Sequence, residues 1–183
     1  ELERRNLAQK VDRVILVATP QLGTPKALAS VLHGYDQELG RGLLLTSRKA
    51  REVINNMPGA YGLLPSEEYF NGLTDPIITF EIATVTASYR ANYGSTITSF
   101  SQYKDFLIGA TDSGRTLDGH LAIPVKVNAP LLERAFLDHK DKLDGWVAPP
   151  GVEVIEIIGV GLPTIKSIVY HGVREDVTVC PVP

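Results

Sequence analysis

The sequence predicts an α/β fold, with parallel core strands and a large, mostly helical cap insertion. Three observations lead there. Residues 14–18, Val-Ile-Leu-Val-Ala, are apolar without a break, which suits a strand covered on both faces, as in a parallel sheet between helices. Residues 152–158, Val-Glu-Val-Ile-Glu-Ile-Ile, give a second strand, and each strand closes in a turn rich in glycine and proline. A crossover between neighbouring parallel strands needs only about a dozen residues, far fewer than lie between these two. Open α/β sheets carry their sites and lids at the carboxyl ends of strands. Residues 26–148 are therefore read as a cap or lid insertion, and 11–25 and 151–164 as core strands with their turns, within a single domain fragment 1–183.

Taken in order, residues 2–9 are charged and helix-favouring and read as the tail of a helix. The first strand breaks into Thr19-Pro20-Gln21-Leu22-Gly23-Thr24-Pro25, and Pro25 opens a short helix from Lys26 to Leu32 that Gly34 closes. A second helix runs from about Ser47 to Asn56. Ser47 is its expected N-cap, and Ala50, Val53, Ile54 and Met57 form its half-buried stripe. Pro58-Gly59 stops it, and residues 60–66 follow as an apolar loop. Between 67 and 127 the pattern weakens. Pro76–Phe80 suits a strand, Thr84–Thr98 has little periodicity, Ser101–Ile108 suits an amphipathic helix, and Asp112-Ser113-Gly114 is a turn. Asn128 then caps a helix with Pro130 in its first turn and Leu132, Phe136, His139 and Leu143 on one face. Gly145 ends it, with Trp146 beside the last turn. After the second strand and its turn, Ile168–Tyr170 and Val177–Val179 are spaced as a hairpin.

Composition narrows the function. With 44% hydrophobic and 21% charged residues the chain is globular, and 183 residues suffice for one cored domain. A net charge of −3 leaves no electrostatic footprint for nucleic acid or an anionic membrane. The apolar runs fall short of the ~20 residues that span a bilayer. The single cysteine, Cys180, excludes an internal disulfide framework and a cysteine-rich zinc site, and excludes neither the cytoplasm nor the exterior. The chain opens Glu-Leu-Glu-Arg-Arg, without an initiator Met or an apolar signal region, and both ends read as internal to a longer chain.

Three segments together resemble the lecithin:cholesterol acyltransferase-like lipase family of α/β hydrolases. They are Val14-Ile-Leu-Val-Ala-Thr-Pro-Gln-Leu-Gly-Thr-Pro25, Met57-Pro-Gly-Ala-Tyr-Gly-Leu-Leu-Pro-Ser66 and Val152-Glu-Val-Ile-Glu-Ile-Ile-Gly-Val-Gly-Leu-Pro-Thr164. The helix carrying Phe136, His139, Leu143 and Trp146 is similar to the one that precedes the last segment in bacterial members. The resemblance implies a partial α/β-hydrolase fold and a Ser–His–Asp triad acting on ester bonds, by hydrolysis or by acyl transfer. The family's serine sits in a Gly-x-Ser-x-Gly elbow. None of the nine serines here has glycine two residues before and two after. The resemblance places that elbow before the first strand and the triad Asp and His after the second. Asp176 is the only aspartate near the expected Asp and lacks the family's Gly-Thr-Val continuation. No catalytic residue, metal ligand or cofactor is therefore assigned, and the chain alone is expected to be inactive.

The expected substrate-binding residues are Pro20, Gln21, Leu22, Gly23 and Thr24 with Gly159, Val160, Gly161 and Leu162. Their warrant is position outside the carboxyl ends of strands, against a bland alternative in which they only shape turns. None of His33, His120, His139 and His171 is assigned: no pair has metal-ligand spacing, and His139 reads as a hydrogen-bonded core residue. Gly159-Val160-Gly161 lacks the third glycine of a dinucleotide loop. The tyrosines at 61, 69, 89, 93 and 103 read as cap core, with a lipid groove as the alternative. The implied partner is a lipid-like ester bound by the parent enzyme, with neither nucleic acid nor a transmembrane segment involved. Core strands without neighbours would also favour self-association, or completion by a second polypeptide. The competing reading is an autonomous, non-catalytic lipid- or protein-binding module.

Overall fold

The structure is a computed structural model that describes residues 4–40, 42–112, 114–171 and 177–181. Where the sequence suggested a helix tail, residues 4–10 hold turns and one 3-10 turn, Ala8–Lys10. The elements that follow are β1 (Arg13–Val17), α1 (Pro25–His33), α2 (Ser47–Ile54), α3 (Pro58–Tyr61), α4 (Glu67–Asn71), β2 (Ile78–Phe80), α5 (Ala87–Tyr93), β3 (Thr96–Ile97), α6 (Phe100–Ile108), α7 (Ala129–Asp138), β4 (Glu153–Ile157), β5 (Ile165–Tyr170) and β6 (Val177–Pro181). Mixed helices and strands, with parallel pairs among the strands, make this an α/β arrangement.

β1 and β4 pair in parallel, Arg13 opposite Glu153 through Val17 opposite Ile157, and form a two-stranded sheet of their own. The expectation that β1 is covered on both faces does not hold. Ile15 is 54% exposed and Val17 63%, while Val14 and Leu16 on the opposite face are half-buried. The cause is the pair's isolation: among the described residues no further strand or helix lies over Ile15 and Val17 to bury them. One ion pair, Arg13 Nε to Glu153 Oε2 at 2.7 Å, ties the two strands across that open face.

The main body is built on a second sheet of order β3-β2-β5-β6. β2 runs parallel to β5, and both outer pairings are antiparallel. The hairpin read in the sequence is therefore present, and it completes the sheet of segment 26–148, which does not close on itself. Leu28 and Leu32 of α1, Tyr61, Ile78 and Phe80 of β2, Tyr103 and Phe106 of α6, Leu132 of α7, and Ile168 and Tyr170 of β5 form one buried core. Phe80, Tyr89, Phe106 and Tyr170 form one aromatic cluster, with Tyr170 stacked on Phe80 at 5.3 Å and Tyr89 and Phe106 each at 5.5 Å from it. The tyrosine-rich stretch is core, as the sequence suggested.

Helix ends follow local chemistry. Pro25 opens α1, the Thr24 hydroxyl accepts from the Lys26 amide, and Gly34 caps the far end. For α2 the expected cap shifts by one: Thr46, not Ser47, accepts from the Lys49 amide. Its buried side also differs from the apolar stripe. Val53 and Met57 are exposed, while Ala50, Arg51 and Asn55 are buried. Pro58 stops α2 and starts α3. Ser99 and Gln102 make a reciprocal capping box on α6. The stretch Thr84–Thr98, which showed no periodicity, holds a 3-10 turn, α5 and β3. α7 is capped by Asn128 and passes into a π turn, His139–Leu143, in which the Asp144 amide donates to the His139 carbonyl. That wider turn breaks the 3.6-residue phase, so His139 stays buried while Leu143 swings out to 41% exposure.

Candidate functional site

In-register parallel pairing sends the two candidate segments out from the same end of the β1–β4 sheet. The Ala18 amide donates to Ile157 O at 2.8 Å, extending the ladder one step past β1, with Ala18 in the left-handed region at φ 47°. Residues 20–24 and 159–162 leave from there. They then differ sharply.

The first segment is fixed against the loop after α3. The Gly23 amide closes a turn on Pro20 O, the Thr24 amide donates to Leu63 O at 2.9 Å, and the Ser66 amide donates to Leu22 O at 3.0 Å. Gly23 sits at φ +88°, and a Cβ there would lie 2.2 Å from Leu64 O. Only glycine allows this approach. The fold thus joins two motifs, 14–25 and 57–66, that lie far apart in sequence. Gly23 and Thr24 each have a local structural task, the one a close approach and the other a helix cap. Gln21 has none among the described residues: it borders a cleft of about 1050 Å³ with Val14 and Leu16 of β1, Leu143 at the end of the π turn and Trp146 beyond it. Thr24 also borders an apolar groove of about 400 Å³ with Ala27, Val31, Ile54, Met57 and Leu63.

The second segment stands in solvent. Val160 is 90% exposed and Leu162 83%. Gly161 has a positive φ, with open space where a side chain would point. Among the described residues, no hydrogen bond joins 159–162 to 20–24. The structure brings the two strand ends together without closing them into one pocket.

Three of the four histidines are committed elsewhere, and His120, exposed in its loop, accepts from the Ala122 amide at Nδ1. His33 Nδ1–H donates to Leu121 O at 2.6 Å, which leaves Nε2 to accept from the Tyr170 hydroxyl at 2.8 Å. Burial lowers the His33 pKa to about 4 and pushes the Tyr170 phenol well above its ordinary value. His139 lies 3.3 Å from Asp144 Oδ1 and donates from Nε2 to Gly62 O at 2.9 Å, so the ring is sealed rather than open to a nucleophile. His171 pairs with Glu81 at 2.8 Å. No serine hydroxyl joins either histidine–carboxylate pair among the described residues. Asp176 lies outside those residues. Among them, no group of three or more His, Cys, Asp or Glu could hold a metal, and no helix is long and apolar enough to cross a membrane.

Two buried arginines were not anticipated from the sequence. Arg51 donates to the carbonyls of Leu117, Gly119, His120 and Ile123. Arg115 donates to those of Phe106, Pro124 and Val125 and lies 4.3 Å over the Phe106 ring. Together they hold the irregular stretch 115–127 against the helices. The one available signal was the place of Arg51 in α2, beside Ala50 and one turn before Asn55 on the buried side.

A family model described as lecithin:cholesterol acyltransferase matches residues 2–180, nearly the whole chain. No curated protein and no solved structure gives a match.

Proposed function

The chain belongs to the lecithin:cholesterol acyltransferase family, and from that premise we propose that residues 1–183 are the post-nucleophile strand, cap and following strand of a serine ester hydrolase or acyltransferase acting on lipid-like esters. In this reading β1 and β4 are two strands of a larger parallel sheet. Residues 26–148, their sheet completed by β5 and β6, form the cap. The single observation that carries it is the match across 2–180 in a chain whose nine serines include no Gly-x-Ser-x-Gly elbow. The open faces of β1 and β4 support it, because an apolar parallel pair is a stable arrangement only when covered.

Catalysis by a Ser–His–Asp triad needs a hydroxyl nucleophile, a histidine free to take its proton and an acid that orients the histidine. His33, His139 and His171 are engaged with other groups, and the exposed His120 has no serine hydroxyl or carboxylate bonded to it among the described residues, so turnover is assigned in this reading to residues outside the chain. What this chain would supply is the rim of the site. Pro20, Gln21, Leu22, Gly23 and Thr24 would form one wall and Gly159, Val160, Gly161 and Leu162 the other, with the Gln21 amide as the uncommitted polar group. Alone, the chain would not turn over esters, and its unpaired strand edges would drive self-association.

A second reading has one observation in its favour. The core around Phe80, Phe106 and Tyr170 closes without β1 or β4, as a free-standing binding module would. Fluorophosphonate labelling separates the two when run on this chain and on the longest polypeptide encoded around it. Labelling of the longer polypeptide alone supports the enzyme-part reading. Labelling of neither favours the module, and labelling of this chain places a nucleophile among its nine serines and overturns the assignment.

A further inference from the structure

His139 is held from two sides at the point where α7 widens into its π turn. The Asp144 amide closes the turn on the His139 carbonyl at 2.9 Å, and the Asp144 carboxylate stands 3.3 Å from Nδ1 of the same residue. On the other side, Nε2 donates to Gly62 O at 2.9 Å. The turn needs such a clasp. Leu132, Phe136, His139 and Leu143 keep the i, i+4, i+7, i+11 spacing of an unbroken α-helix, yet His139 is buried and Leu143 exposed. An α register at 139–144 is thus an alternative written into the sequence, and the π turn holds its extra residue against it.

The contacts of this one ring lead to both sides of the cleft beside Gln21. Leu143 and Trp146, at the end of the π turn and beyond it, line one side, and Val14, Leu16 and Gln21 line the other. Gly62, which accepts from the ring, opens the loop that holds the strand-end turn. There Leu63 O accepts from the Thr24 amide, and the Ser66 amide donates to Leu22 O. The preceding residue, Tyr61, is tied to the opposite end of α7. Its hydroxyl accepts from the Asn128 amide and donates to Asn55 O, both at 2.8 Å. From this arrangement we propose that His139 is a positioning residue whose ring, held by Asp144, fixes the two sides of the cleft relative to each other. It keeps 139–144 in the π register and, through Gly62, keeps residues 62–66 and 20–24 in place. Release of the ring would return Leu143 toward the face of Leu132 and Phe136, and would loosen the strand-end turn at the same time. The inference rests on the reading of residues 20–24 as a wall of the parent's site, but its test needs no turnover.

Each side of the cleft has its own reporter. Trp146 is the chain's single tryptophan, so its emission and its quenching by acrylamide read one side. Hydrogen exchange at the Thr24 and Ser66 amides reads the other. Three variants are compared with wild type. His139→Phe keeps a ring and removes both nitrogens, His139→Gln keeps a donor for Gly62 O, and Asp144→Ala removes the second contact while leaving the buried ring in place. In His139→Phe the Trp146 signal should change, and exchange at Thr24 and Ser66 should quicken about tenfold or more while the Phe80 and Ile168 amides keep their protection. Asp144→Ala should quicken the same two amides, which it does not touch, and His139→Gln should restore their protection. The proposal is overturned if either reporter is unchanged in His139→Phe, or if Asp144→Ala leaves the two amides as they were. It is equally overturned if His139→Gln fails to restore them, or if Phe80 and Ile168 lose protection to the same extent, the mark of a plain core residue. None of these results bears on probe labelling, so the ester reading stands or falls separately.

Discussion

At the scale of the residue, His33 shows how burial turns one ring into a pH-dependent contributor to stability. Both nitrogens are satisfied only when the ring is neutral, and burial has lowered its pKa from 6.5 to about 4. The unfolded chain binds a proton near 6.5 that the folded chain refuses until about 4. The stabilisation is therefore complete above pH 6.5, is lost as pH falls toward 4, and changes no further below that. The loss is on the order of 3 kcal/mol, and His33→Gln should flatten that slope in urea titrations run from pH 7 to pH 4. Arg51 makes the complementary point about charge without a counter-ion. Four carbonyls stand in for a carboxylate, so Arg51→Ala should cost roughly 3 kcal/mol by denaturation, and Arg51→Lys, unable to reach four acceptors, a large part of it. Neither role could be read from the sequence. The partners of Arg51 lie 66 to 72 positions away, and nothing local marks them.

At the scale of the element, what was legible is what is locally encoded. Pro25 and Gly34 bracket α1, Asn128 and Pro130 open α7, and one unbroken apolar run and one interrupted by Glu153 and Glu156 give β1 and β4, because each signal acts within a turn of itself. The stretch Thr84–Thr98 was not legible. Its buried residues, Thr86, Tyr93 and Ile97, belong to three different short elements and so follow no single period. The π turn after α7 likewise moved Leu143 off a face that an unbroken helix would have kept. The candidate site was legible in its parts but not in its contacts: nothing in residues 20–24 announces that they bind residues 63–66. Gly23→Ala tests that contact. It should cost roughly 2 kcal/mol or more, and hydrogen exchange at the Thr24 and Ser66 amides should accelerate together if the two segments separate as a unit. Removing the capping box by Ser99→Ala should cost about 1 kcal/mol, with α6 retained at its C-terminal turns.

At the scale of the whole molecule, the chain divides its surface unevenly. The main body closes over its own core, while the β1–β4 pair leaves Ile15, Val17 and Ile157 at least half exposed and, among the described residues, two strand edges unpaired. Light scattering should show a mass that rises with concentration, and Val17→Lys/Ile157→Lys should lower it. A constant monomer mass in the wild type would count against association through this sheet. The same pair has a consequence for the order of folding. Arg13 and Glu153 meet across 140 positions, so β1 and β4 find each other only after that long intervening loop has been drawn in. The body's central strands gain packing on both faces as they join, whereas this pair gains little beyond its own hydrogen bonds. It should therefore be the last element to assemble and the first to open. In native-state exchange the amides of residues 15–18 should lose protection well before those of Ile78–Phe80.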